Sequence, residues 1–450
     1  MTPQLKDDHL ASIAMNHNVA RFISFGVGAE PPLRHAVIDT HGTCSDLETG
    51  VRALLSIAPS VNLRVFSTTP IKSAPFHYGL SSLTDTVALV RRYAANGLYT
   101  IVNETIDVDD GGVSGVSLGG IVEFAPKDTP RAVEKPGVTR LSRELGATIL
   151  RLVYGFQPDL PSDRDLRVEF SLHPVPAGFR QRHTILWELE HIDEITLPWR
   201  LEWPNRFSRL LGDKAFGLLV GHALGVPVPE TIVIGRSVAP FRFGTETGSP
   251  QVWLRTCPTE QVAGKFTTSS IWQDPYALLH REDPTGTMLA GVLAQRAVLA
   301  RYSGASLPVV DGADEIQGVA GSGDRFMRGE QEPVSLPNRV VADVRALIAR
   351  LRTSLGPVRI EWTHDGKKAW LLQLHVVEQA SSGNIIYPGE ADHWLAFDPN
   401  DGLDVLRRVA AEAVDSGFGV RVVRPIGTTS HIGDILRKAK VPARIMASSK

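Results

Sequence analysis

The segment that most constrains the fold lies between residues 358 and 376. Val358 to Thr363 and Ala369 to Val376 are apolar-rich runs joined by His364-Asp365-Gly366-Lys367. Two such runs around an Asp-Gly turn predict a hairpin, so part of the chain must build an antiparallel sheet. Helix-period and strand-like segments alternate on either side. Leu83 to Ala95 carries apolar residues at helical spacing and stops at Asn96-Gly97. Further helices are predicted from Arg209 to Leu224, from about Met288 to Tyr302, from Asn338 to Leu351, from Gly402 to Asp415, and from near Ser430. Strands are predicted at Tyr99 to Val102, Gly120 to Phe124, Leu166 to Phe170, Thr184 to Trp187, Thr231 to Val233 and Gly419 to Arg424. Ala147 to Tyr154 is a buried element that periodicity leaves open between helix and strand. This mixture predicts an α/β or α+β chain and argues against an all-β one.

The length of 450 residues suggests two or three domains at roughly 150 residues each. A hydrophobic share of 43% and a charged share of 21% exclude a disordered scaffold, a coiled coil and a fibrous repeat. Lys and Arg total 47 against 49 Asp and Glu, so no global field draws the chain to nucleic acid or an anionic membrane. Cys44 and Cys257 are the only cysteines and no CxxC spacing exists. That predicts a reducing compartment, with neither a disulfide framework nor a structural zinc site. The first residues lack the basic and apolar blocks of a signal peptide, and no apolar run approaches the ~18–20 residues that span a bilayer. The expectation is a cytoplasmic protein.

Side chains alternate along a strand, so Arg359, Glu361 and Thr363 share one face of the hairpin. Glu361 and Gln373 can face each other across the turn. A carboxylate beside an amide oxygen is a hard-oxygen pair suited to Mg²⁺ carrying phosphates; the plainer alternative is an exposed glutamate on a surface hairpin.

The hairpin resembles the end of the ATP-grasp domain in the phosphoenolpyruvate synthase / pyruvate phosphate dikinase family. Glu361-Trp362, Asp365-Gly366 and Leu372-Gln373-Leu374-His375 carry the likeness. His375 stands where that family has an arginine. Other landmarks come in the family's order. Gly212-Asp213-Lys214 and Gly225-Val226-Pro227-Val228-Pro229 resemble its opening segment. Trp253-Leu254-Arg255-Thr256 resembles its Val-Arg-Ser-Ser strand. Ala263-Gly264-Lys265-Phe266-Thr267-Thr268 resembles its phosphate-covering loop. Gln295 with Ser303-Gly304-Ala305, and then Gly321-Ser322-Gly323-Asp324 with Gly329, resemble its last two. The resemblance implies ATP and Mg²⁺ as cofactors. Lys214, Arg255 and Lys265 would be fixed cations for the triphosphate, with Thr267 and Gln295 at the nucleotide. Gly264, Gly321 and Gly323 would let backbone N–H groups approach phosphate oxygens. Asp324, Glu361 and Gln373 would hold the metal.

The same family passes phosphate through a histidine in a Thr-Ser-His motif. Thr429-Ser430-His431, Arg437 and Val441-Pro442-Ala443 fall at the family's offsets. A strand, a small-residue turn and a helix start there would offer free N–H groups and a positive dipole to phosphate. A neutral imidazole is a competent nucleophile near pH 7. The alternative is an ordinary histidine after a helix cap. The segment is shorter than the family's domain, and no pyruvate-binding barrel comes after it, so the acceptor is expected in residues 1–200 or on another chain.

The first two hundred residues resemble nothing known to us. Asn103 to Gly112 is an acidic loop that reads as a solvated turn rather than a metal site. His77 and His173 read as structural histidines, and Cys44 beside His41 as a chance neighbour rather than a nucleophile. Lys127, Arg131 and Lys135 form a modest basic loop.

The expected organisation is a mixed α/β domain of unknown role at 1–200, an ATP-grasp nucleotide-binding domain at 205–380, and a short α/β segment at 390–450. The expected activity is a Mg-ATP-dependent, kinase- or dikinase-like phosphotransferase passing phosphate through His431 to an unknown small-molecule or protein acceptor. Arg255 and Lys265 would assist the transfer. The alternatives are an ATP-grasp ligase that activates a carboxylate as acyl phosphate, or a non-catalytic ATP-binding sensor. Nucleic acid and membrane are not expected partners.

Overall fold

A computed structural model describes residues 5–38, 44–68, 74–129, 136–193, 195–260, 267–309, 314–377 and 383–446. The chain is a mixed α/β protein with several antiparallel sheets. It divides into two compact units, Met1–Trp199 and Arg200–Lys450. No helix among the described residues is long and apolar enough to cross a membrane.

The first unit begins with α1 (Lys6–Asn16), β1 (Phe22–Phe25), β2 (Leu33–Val37), α2 (Leu47–Ile57), β3 (Val61–Phe66), β4 (Phe76–Leu80), α3 (Leu83–Ala95) and β5 (Tyr99–Glu104). Its five strands pair antiparallel in the order β2-β1-β5-β3-β4. Ser82 caps α3 by accepting from the Asp85 N–H at 3.2 Å, and Asn96 ends it. Val87, Val90 and Ala94 recur at helical spacing and are buried, so this stripe of α3 faces the core. A second sheet is made of β6 (Val113–Leu118), β7 (Ile121–Pro126), β8 (Thr139–Ser142), β9 (Leu166–Ala177) and β10 (Arg182–His191), in the order β10-β9-β6-β7-β8. Between β8 and β9, α4 (Arg143–Tyr154) settles the ambiguous 147–154 segment as helix. Ser142 caps its start and Gly155, left-handed at φ 82°, ends it.

The second unit opens with α5 (Arg206–Leu211) and α6 (Asp213–Ala223). The single helix predicted from Arg209 to Leu224 is therefore two. The break is Gly212, at φ 90°, where an added Cβ would lie 2.5 Å from the Cβ of Cys257. The next sheet contains β11 (Thr231–Gly235), β12 (Phe241–Phe243), β13 (Val252–Pro258), β14 (Thr268–Ser269) and β15 (Leu289–Arg296), with α7 (Pro275–Glu282) packed on it. The helix predicted from about Met288 to Tyr302 is wrong. That stretch is β15, a bend, and the start of the next strand. β15 is a central strand buried on both faces, so its apolar run shows no alternation to distinguish it from a helix.

A four-stranded sheet then forms from β16 (Tyr302–Leu307), β17 (Glu315–Ala320), β18 (Val358–His364) and β19 (Ala369–Val376), in the order β17-β16-β18-β19. The short α8 (Asp324–Met327) and the long α9 (Asn338–Leu355) lie between β17 and β18. The predicted hairpin is β18–β19. The chain ends in β20 (Ile385–Tyr387), β21 (Trp394–Phe397), α10 (Leu403–Ser416), β22 (Gly419–Val422), α11 (His431–Ala439) and β23 (Ala443–Ile445). Their sheet, β20-β23-β22-β21, pairs β21, β22 and β23 in parallel. It has its own core around Leu406, Val420, Val422, Ile432 and Leu436.

Candidate functional site

The hairpin sets the site. Across β18 and β19, Arg359 pairs with His375 and Glu361 with Gln373. Directly opposed residues of an antiparallel pair share a face, so these four polar side chains form one patch. A register shift after Glu361 makes Trp362 pair with Leu371 and leaves Leu372 as the extra residue of a bulge. Such bulges re-aim side chains at the edge of a sheet's regular pairing.

Helix α6 brings Asp213 and Lys214 to this patch. It lies unusually close to β19 through Gly217 and Gly221: a Cβ at Gly217 would fall 2.6 Å from the Leu374 carbonyl oxygen. Strand β13 adds Arg255. Arg255, Glu361 and Asp213 act electrostatically on Lys214, and Glu361 and Asp324 on Arg255. Burial holds both cations below their ordinary pKa values and pushes the Cys257 thiol up to about 12. Among the described residues, neither cation has a carboxylate within ion-pair distance, and Arg255 Nε is buried with no hydrogen-bond partner. Two cations drawn partly out of water without a paired anion are the complement of a polyanion.

Asp213 is buried; burial raises its carboxyl to about 6 although Trp203 Nε1 donates to Oδ1 at 2.6 Å. His375, also buried, is pushed down to about 3, and its Nδ1 lies 3.4 Å from Asp213 Oδ2.

The C-terminal segment covers the other side. The carbonyl of Thr429 accepts from Arg359 Nη2 at 3.0 Å, and that of Thr428 from Arg437 Nη1 at 3.0 Å. Gln317 Oε1 accepts from Thr429 N at 3.3 Å and from Thr429 Oγ1 at 3.2 Å. Arg359 Nη1 lies 2.6 Å from Asp434 Oδ2, with 3% and 8% of the two side chains exposed. Burial raises the Asp434 carboxyl, but Arg359 and Arg437 outweigh it and hold it below the usual range. His431, the first residue of α11, is thus fixed against the hairpin. After burial, Glu361 is the strongest influence on it, followed by Asp434, Arg359 and Lys214. Burial dominates and keeps the ring neutral near pH 7. His431 Nδ1 and Ser430 Oγ are buried without hydrogen-bond partners among the described residues.

Lys214, Arg255, Glu361, Gln373 and His431 therefore come together, and Asp324 acts on Arg255 from the exposed start of α8, where Ser322 Oγ donates to it at 2.8 Å. Gly321 and Gly323 lead into that helix, Gly321 at φ 76°. Three of the expected residues have partners within the protein. Gln295 is buried in β15 and turns its amide to Thr231 Oγ1 at 3.3 Å, so it is a strand-pairing residue here. Thr267 is bonded to the Glu282 carboxylate through its hydroxyl. The Gln373 amide has both ends satisfied when its oxygen accepts from His375 Nε2 at 2.7 Å and its nitrogen donates to Glu361. Gly264 and Lys265 lie outside the described residues.

Trp203, Gln317 and Asp434 also belong to the site, and no motif in the sequence marks them. Their roles depend on contacts between distant segments. Arg359 is visible in the sequence only as a face partner of Glu361.

In the first unit, Asp107 and Asp110 bond the N–H groups of Asp109 and Gly112, both at 2.8 Å, as a solvated turn would. His77 bonds Tyr93 and His173 bonds Asp110 and Ser171. Lys127 lies 3.6 Å from Asp109. Arg131, Lys135 and His41 lie outside the described residues. Asp7, Asp8 and His35 cluster tightly, but Arg34 donates to both carboxylates and His35 bonds Asp8, so these groups already serve one another.

No family model and no curated protein matches the sequence. Among solved structures, it is similar to D-cycloserine synthetase DcsG at 18% identity and TM-score 0.24, over 42% of this chain and 62% of that one. For an L-amino acid ligase from Bacillus licheniformis the values are 14%, 0.24, 37% and 40%. For D-alanine-D-alanine ligase from Helicobacter pylori they are 11%, 0.25, 37% and 52%. The match thus spans less than two thirds of each of these proteins, and a likeness at such TM-scores bears on neither activity nor substrate.

Proposed function

We propose that the second unit is an ATP-grasp catalytic unit that transfers a phosphoryl group from Mg²⁺-ATP, with His431 as its first acceptor. The observation that carries this reading is a neutral, partly buried imidazole with a buried, unpartnered Nδ1 in the same cluster as Lys214 and Glu361. The cluster also suits the nucleotide. Lys214 and Arg255 are partly buried cations without ion pairs among the described residues, and Asp324 and Glu361 are the carboxylates that act on them. Mg²⁺ held by those carboxylates would supply charge neutralisation on the phosphate oxygens. Lys214 and Arg255 would grip non-bridging oxygens and stabilise the charge that spreads over them in transfer. His431 would give a ring-nitrogen lone pair to phosphorus while the bond from phosphorus to the nucleotide's oxygen breaks, the electron pair leaving with the nucleotide. The final acceptor would be a small molecule or protein that takes the group from His431.

A second reading is an ATP-grasp ligase, in which a bound carboxylate takes the phosphoryl group as an acyl phosphate and an amine displaces it. The buried contacts that pin the His431 loop favour it, because a ligase needs no travelling carrier.

The test is incubation with Mg²⁺ and ATP labelled at the β- or γ-phosphate, with product analysis. Acid-labile, alkali-stable label on the protein that disappears in His431→Ala supports the histidine reading, and AMP or ADP identifies which phosphate moves. ATP binding without label removes it. ADP release provoked by a carboxylate–amine pair, equally in His431→Ala, establishes the ligase.

A further inference from the structure

We infer that Gln373 is a positioning residue and not a ligand of the metal: His375 orients its amide so that it holds the Glu361 carboxylate. The inference rests on the nucleotide-site reading above. Within the hairpin, His375, Gln373 and Glu361 form one line of hydrogen bonds, and Trp203 and Asp213 lie behind His375. Trp203 Nε1 donates to Asp213 Oδ1 at 2.6 Å. Asp213 Oδ2 faces His375 Nδ1 at 3.4 Å. His375 Nε2 donates to the Gln373 amide oxygen at 2.7 Å, and the amide nitrogen donates to Glu361 Oε1 at 3.0 Å and Oε2 at 3.3 Å. This amide orientation is the one that satisfies both ends. The reverse would set the amide nitrogen against a ring nitrogen and its oxygen against a carboxylate.

The backbone supports the same assignment. The bulge at Leu372 brings Gln373 opposite Glu361, and His375 comes two residues later on the same face. His375 and Asp213 are 5% and 2% exposed, and Trp203 packs its ring 5.9 Å from that of His375. A buried ring held by packing keeps its one donor aimed at the Gln373 amide, and that amide then has a single satisfied orientation. The metal would then be left with carboxylate oxygens from Asp324 and Glu361, and Gln373 would act as the support behind Glu361. Supports behind metal ligands typically change metal affinity by about 10–100-fold.

The test uses Mn²⁺ as a paramagnetic stand-in for Mg²⁺, titrated into the full chain with a non-hydrolysable ATP analogue and read by electron paramagnetic resonance. His375→Phe keeps a ring but cannot donate, and His375→Ala removes the ring. Whichever retains the wild-type melting temperature is informative. If Gln373 is a support, the variant frees its amide to turn and Mn²⁺ affinity falls about tenfold. His375→Gln, which restores a donor, then recovers most of the loss. If Gln373 is itself a ligand, losing His375 releases its oxygen, and affinity stays level or rises; that result overturns the inference. A wild-type chain that binds no Mn²⁺ with the analogue removes the nucleotide-site reading, and this inference with it. Binding by wild type with no loss in the variants removes the inference alone.

Discussion

Glu188 lies on β10 directly opposite Glu169 of β9, and Glu190 comes next on the same face. Arg167 serves Glu169 at 2.6 Å and Glu190 at 3.5 Å, leaving Glu188 the unserved carboxylate of the row. Burial first, then the charge of Glu169 and the contact with Glu190, pushes its carboxyl from 4.5 to about 7. The folded state therefore keeps this proton over a pH range in which the unfolded chain has lost it. The stabilisation is fully present below about pH 4.5 and is lost as pH rises through about 7. Glu188→Gln removes the penalty. After allowance for partial solvent screening, it should raise the stability of the first unit by about 1 kcal/mol at pH 8, with no gain near pH 4. Thermal melts of the two proteins at both pH values check this. A gain of equal size at pH 4 would assign the effect to packing instead. The predicted strand stopped at Trp187, whereas β10 runs on to His191 and so carries Glu188 and Glu190 on one face. The identity of their cross-strand neighbour was not legible either, because it depends on a register that this single strand does not encode. The same holds for Asp213: adjacency to Lys214 was in the sequence, but contact with His375 needed the fold.

At the level of elements, helices with clear stripes and caps were legible to within a few residues. Leu83 to Ala95 is α3 as read, and Val358 to Val376 is the β18–β19 hairpin. The failure at β15 has a physical cause, since a strand covered on both faces loses the alternation that identifies strands. Helix α6 carries a further signal in its glycines. Gly217 and Gly221 are four apart on the face toward β19, and each takes up room a side chain would need. Their costs should differ. An added Cβ at Gly221 would meet Leu371 Cδ2 at 2.3 Å, the far end of a flexible side chain. At Gly217 it would meet the Leu374 carbonyl oxygen at 2.6 Å, which belongs to the sheet backbone. Alanine favours a helix over glycine by about 1 kcal/mol, which offsets part of either clash. Gly217→Ala should still destabilise the second unit by about 2 kcal/mol, and Gly221→Ala by about half as much. Because Lys214 lies one turn before Gly217, Gly217→Ala should also weaken ATP binding. Urea unfolding and nucleotide titration of the two variants test the order; equal costs, or a larger one at Gly221, would contradict it.

Across the second unit, the C-terminal segment is joined to the sheet bearing the hairpin by buried polar contacts as well as apolar ones. Ile432 packs under Gly329, where a Cβ would lie 2.3 Å from Ile432 Cδ1, and Gly427 lies against Phe326. At the centre is the Arg359–Asp434 pair. The motif around His431 was legible as a sequence of residue types. That it would be pinned in place was not, because Arg359 and Gln317 stand on strands 70 and 112 residues before Thr429. A buried ion pair gives little net stability over an apolar pair of similar volume, yet removing one partner strands the other charge and costs about 3–5 kcal/mol. Arg359→Leu and Asp434→Leu should therefore each destabilise the second unit by about that amount. The double variant should recover most of the loss. Amide exchange locates the effect. In either single variant the N–H groups of residues 432–436 should exchange much faster, and in the double variant they should regain protection, while those of α9 stay unchanged throughout. Additive losses in the double variant would mean that the pair is incidental and that apolar packing alone seats the segment. If the pair does seat it, His431 meets the Lys214–Glu361 cluster without a swivel, and on the phosphotransfer reading any group it receives must be handed over at that same place.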